Sequence, residues 1–117
     1  MKHAVMLILS LFATATLAAD EDYAVMVELA WKRGCFNCHD VDQTVRGPAW
    51  RDVAARYRDD ETAFERLIVT VRDGGRGNWG DDFMSPNRRV PEEDIKRLVA
   101  WLLTLEPGTE GQAETSK

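Results

Sequence analysis

Two cysteines and a histidine stand close together in this sequence, in the order Cys35-x-x-Cys38-His39. Thiols at this spacing can form thioether bonds with the two vinyl groups of one porphyrin. The adjacent histidine then offers its imidazole to the iron. This arrangement is the attachment signature of c-type haem. The sequence therefore predicts one haem c, bound covalently through Cys35 and Cys38, with His39 as an iron ligand.

Other chemistries fit the same three residues less well. A zinc site needs four protein ligands, and the only further histidine is His3, inside the N-terminal leader described below. A thioredoxin-like redox pair follows a strand and precedes a helix, whereas here a helical pattern precedes Cys35 and a polar loop follows His39. A plain structural disulfide is the remaining alternative, because exported chains meet an oxidising compartment.

The second axial ligand follows by elimination. No second histidine is left once the leader is removed, and the remaining methionines are Met26 and Met84. Met26 lies on the first predicted helix, just before the motif, whereas Met84 lies far beyond it in a long irregular loop. A thioether is a suitable ligand for haem iron. We predict that Met84 binds the iron opposite His39; the alternative is that it only fills the core.

The first 19 residues have the layout of a secretory signal peptide. Lys2 precedes an apolar run, and small residues follow it up to Asp20. A membrane-spanning helix needs about 20 strongly apolar residues, and this run is shorter and weakens toward its end, which argues against a membrane anchor. We expect cleavage after Ala18 or Ala19 and a periplasmic protein without stable membrane insertion.

The length and the net charge of the chain further limit the class of protein to which it can belong. The chain has 117 residues and a formal net charge of −5, and loss of Lys2 with the leader makes it one unit more negative. An acidic chain of this kind lacks the basic face of a nucleic-acid-binding protein. We predict one domain over residues 20–106 and a flexible tail over 107–117, which has no large apolar residue.

The apolar periodicity predicts helices and no convincing strand. The predicted helical segments are 22–33, 49–57, 60–72 and 91–106. In the first, Tyr23, Val27, Ala30 and Trp31 have helical spacing. The fourth is opened by Pro91 and carries a stripe of Ile95, Leu98, Val99, Leu102 and Leu105. Asp73-Gly74-Gly75 ends the third with a left-handed glycine, and residues 75–90 are predicted to be irregular. Helices this short bury little apolar area, so a cofactor is expected at the centre.

The sequence resembles the class I c-type cytochromes of the bacterial cytochrome c-551 (cytochrome c8) family. The resemblance is carried by GCFNCHDVD (34–42), RGPAWRDVAARY (46–57), GGRGNWGDDFMSPN (74–87) and DIKRLVAWLLTL (94–105). It implies an all-α fold of about four short helices around one covalent haem, and periplasmic electron transfer.

The resemblance also implies roles for four residues beyond the motif. Pro48 matches the proline whose carbonyl accepts a hydrogen bond from the proximal imidazole. Trp79 matches a tryptophan whose indole N–H reaches a haem propionate. Asn87 matches an asparagine that steadies the axial methionine. Trp50 stands where an aromatic residue lines the haem crevice.

Two positions depart from the family pattern. Ser85 stands where a proline often follows the methionine, which predicts a less rigid loop. Thr70 stands where close relatives have a basic residue for a propionate, and Arg72 and Arg76 are candidate substitutes.

The predicted function is that of a small soluble electron carrier that works as a monomer with redox partner proteins and is not an enzyme. One alternative is a cytochrome subunit of a periplasmic oxidoreductase complex, such as a sulfite or alcohol dehydrogenase. Another is a gas sensor, which would need a labile sixth ligand. A locally basic or mixed rim near the haem edge is predicted from Arg46, Arg51, Arg56, Arg58, Arg88 and Arg89.

Overall fold

The computed structural model of the chain describes residues 18–108, and side chains from residue 23 onward. The predicted leader lies outside the described residues except for Ala18 and Ala19, which begin the first helix. Most of the predicted tail also lies outside them, so leader and tail stay predictions.

Four α-helices carry the fold, as the periodicity predicted. They are α1 (Ala18–Lys32), α2 (Trp50–Tyr57), α3 (Ala63–Asp73) and α4 (Glu92–Leu102), with a short 3₁₀ turn at Cys35–Asn37. The all-α fold class is confirmed. In the described part of the chain, no helix has both the length and the apolar character needed to cross a membrane.

The buried side chains form two clusters that share α4. The larger contains buried residues of α1, α2 and α4 together with Val41 and Leu105. The smaller joins α3 to α4 through Ile68, Ile95 and Val99. Leu67 and Leu103 pack against both clusters. Helix α4, with its apolar stripe, is therefore the element around which the others assemble.

The helix bounds differ from the prediction by more than one residue at three helices. Helix α1 begins at Ala18 and not at residue 22, and α3 begins at Ala63 and not at residue 60. Helix α4 ends at Leu102 and not just before Pro107, where the chain turns and the Thr104 hydroxyl donates to the Trp101 carbonyl at 2.6 Å. Gly74 follows the last residue of α3, as predicted, with a positive φ of 80°. Its ψ of 175° is extended, so this glycine does not take the left-handed helical conformation that we expected.

The buried face of α1 also differs from the expectation. Met26 and Ala30 are buried, whereas the side chains of Trp31 and Tyr23 are 65% and 37% exposed. Trp31 rests edge-on against Phe36, with ring centroids 5.2 Å apart. Small Ala30 allows α1 to approach the rest of the core closely, and this turns the bulky Trp31 outward.

Residues 75–90 are mostly irregular but contain one strand pairing that was not predicted. Strand β1 (Gly75–Arg76) pairs antiparallel with β2 (Phe83–Met84), with Met84 opposite Gly75. A pairing of two residues leaves no alternating pattern in a sequence. It returns the loop to the end of α3 and thereby positions Met84.

Candidate haem-binding site

One cleft brings together all the residues predicted for the site. These are Cys35, Cys38, His39, Pro48, Trp50, Trp79, Met84 and Asn87. Apolar side chains of α3 and α4, among them Leu67, Leu98 and Leu102, line it as well. An apolar cleft with a few converging polar groups is the usual form of a cofactor site.

The 3₁₀ turn places both cysteines and the histidine at the edge of this cleft. The Cys35 carbonyl accepts the backbone N–H groups of Cys38 and His39 at 3.3 and 3.1 Å, which folds the motif tightly. Cys35 is half-buried and Cys38 is exposed. Burial raises the pKa of the Cys35 thiol.

The His39 imidazole is held by a backbone carbonyl. Its Nδ1 lies 2.9 Å from the Pro48 oxygen. Because a carbonyl can only accept, Nδ1 carries the proton, and the lone pair of the neutral ring is left on Nε2. An imidazole in this state has one nitrogen fixed and the other available to a metal.

Gly47 is a further site residue, which sequence reasoning missed. A Cβ at this position would lie 2.4 Å from His39 Cε1, so any side chain would displace the imidazole. The backbone N–H of Gly47 donates to the Cys38 carbonyl at 2.7 Å. The only sequence signal was the glycine itself, directly before Pro48, because the close contact arises from the folded loop.

Trp50 supports the imidazole from within the larger cluster. It is buried, and its ring lies 5.9 Å from His39, 5.1 Å from Phe36 and 5.7 Å from Trp101 between centroids. The start of α2 thus packs an aromatic group beside the histidine that follows the 3₁₀ turn.

The Met84 loop forms another part of the lining and is tied to the end of α3. The Asn87 side-chain amide donates to the carbonyls of Ser85 and Val71 at 3.0 and 3.1 Å. Gly74 allows the loop to come close, since a Cβ there would lie 2.5 Å from the Met84 carbonyl oxygen. These contacts hold the half-buried Met84 in place even though proline does not follow it.

Trp79 lies at the open edge of the cleft, and the side chain of Arg56 stacks on its indole ring. The Arg56 guanidinium lies 4.5 Å from the indole centroid and donates to the Asn78 carbonyl at 2.5 Å. The Tyr57 ring meets Trp79 edge-on at 6.3 Å. Stacking of this kind restricts the indole orientation at the cleft.

The arginines predicted for a single rim are divided between separate places. Arg46 lines the cleft, and Arg56 stacks on Trp79. Arg51 and Arg58 instead bond to the carbonyls of Glu106 and Leu105 near the end of the domain. Of the two candidates for a propionate partner, Arg76 lines the cleft, whereas Arg72 pairs with Asp73.

The residues present fit a covalently attached haem. The cleft offers two thiols, an imidazole with a free Nε2 and a thioether, within a mostly apolar lining. Two thiols at this spacing can attach the porphyrin covalently, and an imidazole with a thioether is the ligand pair of the iron in cytochromes c. An all-α fold around such a cleft defines a small c-type haem protein.

Comparison with known proteins agrees with this class. Residues 27–106 match the family described as Cytochrome c. Cytochrome c-551 of Allochromatium vinosum is 50% identical over 92 residues, which cover 79% of this chain and 97% of the relative. Cytochrome c-551 of Pseudomonas aeruginosa is 37% identical over 98 residues, covering 83% and 93%. The crystal structure of Nitrosomonas europaea cytochrome c552 matches with a TM-score of 0.66 and 41% identity, over 68% of this chain and 99% of that one.

The chain therefore belongs to the cytochrome c family, as a class I cytochrome. Its cofactor is one haem c, and Cys35 and Cys38 are the two cysteines that the chain has for the covalent attachment. Like the proteins of this family, it is an electron carrier and not an enzyme.

Proposed function

We propose that this chain is a periplasmic carrier of single electrons whose haem iron is bound by His39 on one side and Met84 on the other. The observation that supports this most directly is the His39–Pro48 hydrogen bond. It leaves Nε2 as the free nitrogen of an imidazole in the same cleft as Met84. When bound, the haem supplies an iron that exchanges one electron between its ferrous and ferric states.

The protein groups around the two ligands hold them in place. The Pro48 carbonyl fixes the ring orientation and the tautomer of His39, and the hydrogen bond that it accepts from Nδ1–H makes Nε2 a stronger donor to iron. Trp50 packs beside the imidazole, and Leu98 and Leu102 add apolar lining to the same cleft. With both axial positions filled, oxygen, peroxide and carbon monoxide have no open site, which is the state suited to electron transfer alone.

Asn87 and Trp79 have supporting roles in this proposal. Asn87 steadies Met84 indirectly, by holding the carbonyl of the next residue, Ser85, and that of Val71. Trp79 lies at the cleft edge in an orientation set by Arg56. Its indole N–H is a donor for a haem propionate.

The partner surface lies at the open edge of the cleft. Phe83 is 60% exposed there, and the guanidinium of Arg76 lies 5.8 Å from its ring centroid. Arg46 adds a second positive charge to the lining, and Asp82 adds a negative one. A small apolar contact with two basic neighbours and one acidic neighbour suits brief docking with an acidic redox protein. The association rate should therefore fall as salt rises.

Replacement of Met84 by alanine tests the proposal. A thioether favours ferrous iron, whereas the water or hydroxide that would replace it favours ferric iron. The reduction potential of Met84→Ala should fall substantially, each shift of about 59 mV being tenfold in the one-electron equilibrium. The variant should also bind carbon monoxide readily and lose the iron–sulfur charge-transfer band. Covalent haem should remain.

Met26→Ala is the matched control. Met26 is buried in the core, 7% exposed, so its loss should lower the free energy of unfolding by about 2–5 kcal/mol and leave the potential unchanged. An unchanged potential and spectrum in Met84→Ala would show that Met84 is not the ligand. Copurification of the wild-type chain with a larger cofactor-bearing protein would make it a subunit and not a free carrier.

A further inference from the structure

A second concavity lies beside the Met84 loop, and its polar lining is basic. It is lined by Arg33, Pro86, Asn87, Arg88, Arg89 and Val90. Asn87 and Val90 also line the haem cleft. The two hollows therefore share Asn87 and Val90 as part of a common wall.

The three arginines of this concavity are only partly neutralised. Arg33 pairs with Asp94 through Nε and Nη2, which leaves Nη1 to face other groups. Arg88 lies 3.8 Å from Asp73 and its side chain is 73% exposed, so that pair is weak. Arg89 forms no ion pair within residues 23–108. The hollow thus carries excess positive charge on a chain that is acidic as a whole.

We propose that this concavity binds a small tetrahedral oxyanion of the inorganic phosphate class. A guanidinium presents parallel N–H groups that match phosphate oxygens, and several arginines around one anion reinforce one another. Pro86 and Val90 complete the lining with apolar side chains. The concave shape favours a small free anion over the carboxylates of a docked protein surface.

Occupancy of this site is coupled to the redox state of the haem. The ferric centre carries one more positive charge than the ferrous centre, and the anion lies behind the shared wall. The anion should therefore bind the ferric protein more tightly, and by reciprocity it should lower the reduction potential. This coupling depends on the proposed function, in which a haem iron in the cleft changes between its ferrous and ferric states. Binding of the anion does not depend on it.

Calorimetry of the haem-loaded protein with inorganic phosphate tests the site. Ionic strength is kept constant with chloride, so that screening does not change during the titration. The wild-type protein should bind one phosphate saturably, and the double variant Arg88→Gln/Arg89→Gln should lose at least tenfold in affinity. The control is Arg66→Gln/Lys96→Gln, which removes two positive charges from α3 and α4 outside the lining of the concavity and should keep wild-type affinity.

A second measurement follows the reduction potential in the same proteins. Phosphate should lower the potential of the wild type and of the control but not that of Arg88→Gln/Arg89→Gln. Non-saturable binding, or equal losses in both double variants, would show general charge attraction and overturn the site. Binding of a poly-glutamate peptide without binding of phosphate would also overturn it, in favour of a protein ligand. Saturable binding with an unchanged potential would keep the site and refute the coupling.

Discussion

Arg33 and Asp94 form a half-buried ion pair that joins the chain just after α1 to the first turn of α4. Arg33 Nε and Nη2 lie 2.7 and 2.5 Å from Asp94 Oδ2, and the side chains are 28% and 14% exposed. Asp94 also lies at the positive end of α4. The pair therefore fastens the two helices that come from opposite ends of the domain.

A double-mutant cycle on this pair should show clear coupling. Asp94→Asn removes the charged partner of Arg33, and Arg33→Gln leaves Asp94 with only the more distant Arg97, at 3.9 Å. Each substitution should therefore lower the free energy of unfolding. We expect a coupling energy of about 1 kcal/mol, the upper end for exposed pairs. Urea unfolding measures it. The exposed pair of Glu92 and Lys96 is the control and should couple by about 0.5 kcal/mol or less. Additive effects at Arg33 and Asp94 would show that the pair contributes no specific stability.

Gly47→Ala should disturb His39 directly. The new methyl group would lie 2.4 Å from the imidazole Cε1, so the ring or the loop must shift and the bond to Pro48 must weaken. We expect a loss of about 1–3 kcal/mol in unfolding free energy, together with an altered haem spectrum and potential. Gly108→Ala is the control, because its Cβ meets only Arg51 Cδ at an ordinary 3.7 Å. Wild-type spectrum and stability in Gly47→Ala would contradict the close approach.

Gly74→Ala should release the Met84 loop. A side chain at this φ of 80° is strained, and its Cβ would also lie 2.5 Å from the Met84 carbonyl oxygen. Backbone strain alone costs about 1–3 kcal/mol. Gly77→Ala separates the two effects, because Gly77 has a φ of 86° but open space around it. Urea unfolding should show a larger loss for Gly74→Ala, and only this variant should weaken the iron–sulfur band. Equal effects of the two substitutions would leave backbone strain as the sole cause.

Acid should weaken the start of α3 through Asp60. Hydrogen bonds from Thr62 lower the pKa of the Asp60 carboxyl, and Arg66 lowers it further. A carboxyl whose pKa is lower in the folded state than in the unfolded state stabilises the fold when the pH is above the unfolded-state pKa, which is about 3.9 for aspartate. This stabilisation is lost as the pH falls through the folded-state pKa.

The free energy of unfolding of Asp60→Asn should therefore decline less steeply below about pH 4 than that of the wild type. Urea unfolding at several pH values measures the slope. Thr62→Val removes the hydroxyl donor but keeps the charge, and it should give an intermediate slope. If the free energy of unfolding of Asp60→Asn fell with pH as steeply as that of the wild type, the Asp60 carboxyl would not contribute to the loss of stability in acid.

Helices could be predicted from the sequence where a local pattern of residues was enough to specify them. The apolar stripe of α4 is a local signal, and this helix is present where the stripe predicted it, although it ends earlier, at Leu102. Trp31 was misplaced because periodicity shows that a helix has an apolar face but not which residue of that face meets the core. The pairing of Met84 with Gly75 was missed because it depends on a loop returning to its own start.

The site could be predicted in its chemistry but not in its close contacts. Cys35, Cys38, His39 and Met84 were named from residue type and spacing, and the structure brings all four to one cleft. Gly47 was missed because its importance is a distance to a ring in the folded chain. The arginines were assigned to one rim because sequence proximity cannot show that Arg51 and Arg58 point toward the end of the domain.

The division of the buried core into two clusters bears on how the protein unfolds. Helix α2 packs only into the larger cluster, and α3 contributes its buried Ile68 only to the smaller one. Apart from α4, the two are bridged by the partly buried Leu67 and Leu103. Residues of both clusters line the haem cleft, so a bound haem would be held by both at once. Its loss should allow the two clusters to open more independently of each other.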